Sequence, residues 1–275
     1  MPVIQNRTAT QEVGINYVDY GSGQPVILIH GWPLSHKAWE KQIAALVDGG
    51  YRVIAYDRRG FGQSDAPWQG YDYDVLASDL YALITQLNLP QVNLVGFSMG
   101  GGEVIRYLTR YGQENIGKIA LVASIIPLVK QKPDNPDGVP EAGLKDILQA
   151  LETDRLKFLS NFHPAFYNYK GDGKPISEQQ LEYDFSISSH AAPQATIEAA
   201  KAWMDTDFRA ECKQISVPTL IIHGKVDETV PIATSANQAV ALIPNSKLIV
   251  YEDAPHGLNI THADRLNNDL LAFFK

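Results

Sequence analysis

The chain predicts an α/β fold: a mostly parallel, doubly wound sheet with an inserted helical cap. Three observations predict it. Short apolar runs of strand length alternate with longer segments that are apolar at helical spacing. The runs "VILIH" and "NLVGF" are apolar at nearly every position, as strands covered by helices on both faces must be. The alternation stops near residue 125, gives way to helical patterns, and resumes at "PTLIIHG".

Taken in order, residues 13–20 alternate apolar and polar as a half-buried strand, and "GSGQP" follows as a turn. "VILIH" is a buried strand, residues 39–47 a helix, "YRVIAYD" a strand, and "DRRGFGQSDAPWQG" a polar, glycine-rich loop. Residues 73–87 carry Val75, Leu76, Leu80, Leu83, Ile84 and Leu87 on one side of a helix. A strand at 91–97, a helix at 101–111 and a strand at 116–124 complete the first block. Within 125–212, the proline-rich "KQKPDNPDGVP" precedes helical patterns at 144–151, 155–162, 177–186 and 194–204. Then come a strand (218–224), a helix (232–242), a strand (246–252) and a terminal helix (263–274). Residues 1–124 and 213–275 are therefore expected to form the core. Residues 125–212 are expected to form a helical cap over the C-terminal edge of the sheet, where open α/β sheets bind ligands.

With 275 residues, 45% of them hydrophobic and 20% charged, the composition suits a globular chain with a large core. A net charge of −8 without long charged runs argues against nucleic acid or an anionic membrane as partner. Cys212 is the only cysteine, so no internal disulfide can form. With neither a signal-like N-terminus nor an apolar run near ~18 residues, a cytoplasmic protein is expected.

The sequence "NLVGFSMGGGEV" places Ser98 in a G-x-S-x-G turn between a strand and a helix. So sharp a turn requires a positive φ at Ser98, tolerated because glycines flank it. A serine hydroxyl needs a histidine as base and an acid to orient that base. His256, in "EDAPHGLN" just past the last strand, is the candidate base. His30 and His223 close strands and read as structural hydrogen-bonders; His36, His163, His190 and His262 read as surface residues. Asp227 in "HGKVDETVP" is the candidate acid, giving the chain order Ser98, Asp227, His256. Asp57 also ends a strand and is its rival, whereas Asp253 lies too near His256 in sequence. Two backbone N–H groups are needed to hold a developing oxyanion. Met99, after the nucleophile, and Trp32, in "HGWP", are the expected donors; Pro33 has no N–H to offer. No His-x-x-x-His, cysteine pair or G-x-G-x-x-G motif in the right place suggests a metal or dinucleotide, and no cofactor is expected.

Together "HGWP", "DRRGFGQSD", "GFSMGGGEV", "HGKVDETVP" and "DAPHG" resemble the α/β-hydrolase superfamily. More narrowly, they are similar to the bacterial cofactor-free haloperoxidases, or perhydrolases, and their sister aryl esterases. The likeness runs nearly end to end, including "QKPDNPDGVP" and "DTDFRAECKQISVPTLIIHG". It implies Ser98 as nucleophile, His256 as base, Asp227 as orienting acid, and Trp32 and Met99 as oxyanion donors. It also implies a small hydrophobic acyl pocket, for which Phe158, Phe162 and Val230 are candidate walls. The expected activity is hydrolysis of small carboxylic esters through an acyl-enzyme, with hydrogen peroxide able to replace water and yield a peracid. The expected partners are a small ester or carboxylic acid and hydrogen peroxide, and relatives are often homo-oligomers. Lactam opening, carbon–carbon bond hydrolysis, a hydroxynitrile lyase and a non-enzymatic ligand receptor on the same fold remain alternatives.

Overall fold

A computed structural model describes residues 2–7, 11–170 and 175–275. Its centre is an eight-stranded sheet of β1 (Val3–Arg7), β2 (Glu12–Tyr20), β3 (Pro25–Ile29), β4 (Arg52–Tyr56), β5 (Val92–Phe97), β6 (Ile116–Val122), β7 (Thr219–Gly224) and β8 (Ser246–Tyr251). The strand order is β1-β2-β4-β3-β5-β6-β7-β8. β1 pairs antiparallel with β2 and β2 antiparallel with β4, and every later pair is parallel. β1 has no counterpart among the expected strands. Only Ile4 and Asn6 of its five residues turn inward, too few apolar positions to mark an edge strand by pattern.

The pleat sorts side chains onto two faces. Ile27 and Ile29 of β3 and Leu94 of β5 point to the face covered by α2 (Tyr73–Gln86), α3 (Gly100–Tyr111) and α8 (Ala236–Leu242). Val26, Leu28, Val95 and Phe97 point to the face covered by α1 (Glu40–Asp48) and α10 (Ala263–Phe274). A 3-10 turn (His36–Trp39) leads into α1, and the short α9 (Leu258–Thr261) precedes α10.

Between β6 and β7 lie α4 (Glu141–Phe166), α5 (Glu178–Ser189), α6 (Pro193–Asp205) and α7 (Arg209–Cys212). α4 packs against α5 and α6. The two helical patterns expected at 144–151 and 155–162 are halves of α4, joined at Asp154, whose backbone (φ −154, ψ 82) leaves the helix. The carboxylate of Asp154 accepts from Lys157 N at 3.0 Å and so caps the second half.

Candidate active site

Ser98 follows β5 and sits one residue before Met99, the N-cap of α3, with φ of +53. Its neighbours show why only glycine fits. A Cβ on Gly96 would lie 2.7 Å from the Gly100 carbonyl oxygen, and one on Gly100 would lie 2.5 Å from the Ile29 carbonyl oxygen. Ser98 N–H donates to the Val122 carbonyl at 2.9 Å, while its carbonyl accepts from Gly101 N at 3.1 Å. The left-handed backbone is thus held by both the sheet and the helix.

The loops after β7 and β8 bring the other two residues to it. His256 Nε2 lies 3.0 Å from Ser98 Oγ. His256 Nδ1 lies 2.6 Å from Asp227 Oδ2. With Asp227 able only to accept, Nδ1 carries a hydrogen, which leaves Nε2 to accept from the serine hydroxyl. The other oxygen, Asp227 Oδ1, accepts from Thr229 N at 2.9 Å and Val230 N at 2.7 Å. Burial alone would push the Asp227 carboxyl up. His256 and His223 beside it outweigh burial and hold it down at about 2. Asp227 therefore orients His256 and also caps its own turn. Phe97 and Phe166 flank the imidazole, with ring centroids at 5.3 Å and 4.8 Å.

The rival acid, Asp57, is fully engaged elsewhere. Its Oδ1 accepts from His36 N at 2.8 Å and lies 2.7 Å from His36 Nδ1. Its Oδ2 accepts from Asn16 Nδ2 at 2.8 Å and Gln63 N at 2.9 Å. Asp253 faces His262 at 3.2 Å. The expectation of surface roles for four histidines is corrected at two of them. His36 is buried because Asp57 draws it in, and His163 is buried between α4 and α5, with Nε2 2.8 Å from Ser188 Oγ. His30 and His223 are buried hydrogen-bonders as expected.

Ser98 and His256 open into a chamber of about 80 Å³, also lined by Trp32, Met99, Phe158, Phe162 and Val230. All eight expected site residues thus come together, with Asp227 behind His256. Ile125, Ile147 and Trp203 are further walls that the sequence reading missed. Helical periodicity shows that a cap helix has an apolar face, but not which neighbour that face meets. Among the described residues, neither Trp32 N–H nor Met99 N–H donates to a protein acceptor, as an oxyanion site requires. The Trp32 indole donates through Nε1 to the Thr196 carbonyl of α6 at 2.9 Å and packs on Phe158, Phe162 and Trp203. One residue of the β3 loop therefore offers its amide to the chamber and its ring to α4 and α6. An outer groove of about 830 Å³ adjoins the chamber and shares Ile147, Phe158, Phe162 and Thr229 with it.

The alpha/beta hydrolase fold family matches residues 24–263. A non-heme haloperoxidase of Rhodococcus erythropolis is 40% identical, over 98% of either chain. A bifunctional esterase/perhydrolase of Acinetobacter calcoaceticus is 37% identical, over 98% of either chain. The crystal structure of a bromoperoxidase from Bacillus anthracis superposes with a TM-score of 0.94 at 43% identity, covering 99% of each chain. By fold, by length and by these relatives, the chain belongs to the alpha/beta hydrolase family, in its branch of non-heme haloperoxidases and esterases.

Proposed function

We propose that this protein is a serine esterase and perhydrolase acting on small carboxylic esters. The observation that carries the reading is the continuous relay from Ser98 Oγ through His256 to Asp227 at the floor of a small apolar chamber. In the first half-reaction, His256 Nε2 takes the Ser98 proton as Oγ attacks the ester carbonyl. Asp227 stabilises the imidazolium, and Trp32 and Met99 N–H hold the oxyanion. His256 returns the proton to the departing alcohol, leaving acyl-Ser98. In the second half-reaction, water, deprotonated by His256, attacks the acyl carbon and releases the acid and Ser98. Hydrogen peroxide in place of water releases a peracid. A peracid oxidises bromide in solution: peracid, bromide and a proton give the carboxylic acid and hypobromous acid. The relatives named for haloperoxidase and esterase/perhydrolase activity support both branches.

The small apolar chamber, walled by Phe158, Phe162 and Trp203, supports a short acyl group. The segment 125–212 is proposed as the cap that closes the chamber, because Ile147, Phe158, Phe162 and Trp203 come from it. The site is proposed to work in the cytoplasm; among the described residues no helix is long and apolar enough to cross a membrane. The test is steady-state hydrolysis of p-nitrophenyl acetate, together with bromide oxidation in acetate plus peroxide, for wild type and Ser98→Ala. Sustained turnover lost in the variant is expected. Turnover undiminished in Ser98→Ala refutes the reading.

A further inference from the structure

His223, the next-to-last residue of β7, is fully buried, and the reaction just described does not use it. Its Nε2 lies 2.8 Å from the Val230 carbonyl and 3.2 Å from Asp227 Oδ2. Both of these atoms only accept, so Nε2 carries the hydrogen and shares it between them. Among the described residues, Nδ1 is buried without a partner, so the ring's polar contacts all fall on the Nε2 side. Asp227 Oδ2 is the oxygen that also faces His256 Nδ1. The loop closes on itself, because Val230 N–H donates to Asp227 Oδ1 while the Val230 carbonyl accepts from His223. The Val230 side chain lines the chamber.

We propose that His223 is a positioning residue for the reaction: its Nε2–H, shared between Asp227 Oδ2 and the Val230 carbonyl, sets the plane of the carboxylate that orients His256 and ties that carboxylate to the chamber wall. This rests on the acyl-enzyme reading above. A carboxylate held on one oxygen alone can rotate about its Cβ–Cγ bond. Asp227 is instead gripped on Oδ1 by two backbone amides and on Oδ2 by two imidazoles. His223 also withdraws part of the Oδ2 charge from His256. Removing that donor leaves Oδ2 to His256 alone, strengthens its hold on the imidazolium, and so makes His256 easier to protonate. The titratable groups facing Asp227 are His256 and His223; those facing His256 are Asp227 and Ser98.

The experiment compares kcat and kcat/KM for p-nitrophenyl acetate between about pH 5 and pH 8 in wild type, His223→Phe and His223→Gln. Phe keeps the ring and loses the donor; Gln places an amide N–H near the Nε2 position. Expected for His223→Phe is a kcat about tenfold lower and an acid limb displaced upward by about half a pH unit. His223→Gln should return the limb to its wild-type position. A packing role alone would lower the melting temperature and leave the limb in place. A folded His223→Phe with an unmoved limb overturns the proposal, and so does a Gln limb displaced like that of Phe. Should His223→Phe not fold, His223→Asn serves, since its amide sits at the Nδ1 position and cannot reach Asp227. Its limb should be displaced relative to Gln, and equal limbs overturn the proposal. Turnover that survives Ser98→Ala overturns the parent reading as well, whereas turnover lost there with unmoved His223 limbs overturns the positioning role alone.

Discussion

Two aspartates compete for one place in the sequence, where chain order favours Asp227, and in the structure they differ in their donors. Asp227 and Asp57 each accept four hydrogen bonds, and each carboxyl is held down at about 2 against the upward push of burial. The His36 imidazole and amide are the leading lowering influences at Asp57, where His256, with His223 after it, leads at Asp227. Asp227→Asn should therefore lower kcat by up to ~10⁴, because an amide can hold the wrong tautomer of His256. Asp57→Asn should leave kcat per folded molecule within about threefold, a ΔΔG‡ under about 1 kcal/mol. It should destabilise the fold by about 1–3 kcal/mol, since one pair of buried donors would then face an NH₂ group. Activity normalised to folded protein, beside thermal melts, separates the two, and comparable rate losses would displace Asp227 from its role. Ser98→Ala belongs with this pair. It removes the proposed nucleophile while keeping a residue that tolerates the same positive φ no worse, so the melting temperature should change little while turnover falls by several orders of magnitude.

Among the elements, the loops of the proposed site were legible because their signals are local: a glycine-bracketed serine, and an aspartate and a histidine after strands in a fixed order. The segment proposed as the cap was legible as helices but not as walls. The break between its first two helical patterns falls at Asp154, where the backbone does leave the helix. The periodicity was right about two units, and tertiary packing ran them into one bent α4. Phe158 and Phe162 were named as walls, but Trp203 was not, because its place depends on how α6 leans on the Trp32 ring. This yields a prediction at the scale of α4. Phe162 is half-buried and its ring lies 5.4 Å from Trp32 and 5.6 Å from Phe166. Phe162→Ala should open the chamber towards the outer groove that shares this residue. The kcat/KM ratio of butyrate to acetate p-nitrophenyl esters should rise about tenfold, as one or two methylenes gain a place to sit. A ratio unchanged in a folded variant would remove Phe162 from the acyl wall.

At the scale of the whole molecule, the fold buries ionisable groups that no pattern of apolar residues announces. Arg58 lies inside with Glu103, Tyr56 and His30, and Arg59 pairs with Asp79 at 2.6 Å. In the sequence, "DRRGFGQSD" reads only as a polar loop, since partners some twenty or more residues away cannot be read from spacing. These buried groups set how the molecule responds to acid. Burial, helped by Arg58, pushes His30 down to about 3, and burial pushes His163 down to about 4, against the ordinary 6.5. Above about pH 6.5 both are neutral whether folded or unfolded, and their contribution is complete. Below it, the unfolded chain takes up protons that the folded one refuses, so stability falls with falling pH, by up to about 1.4 kcal/mol per unit for each group. Asp184 works the other way. Burial outweighs the hydrogen bonds from Tyr167 and Gln180 and raises its carboxyl to about 6, so the folded state gains a proton first and stability rises between about pH 6 and pH 4. Two histidines against one carboxyl leave a net loss across that window, and Asp57 and Asp227, held at about 2, add to it towards pH 4. His163→Phe should remove half of the histidines' share. Its ring fills the same space, and Ser188 Oγ still donates to the Phe185 carbonyl at 3.1 Å. Urea unfolding at a series of pH values between about 4 and 7 should then show wild type losing stability with acid more steeply than His163→Phe. Parallel curves for the two proteins would mean that His163 is not the buried neutral imidazole that its surroundings require.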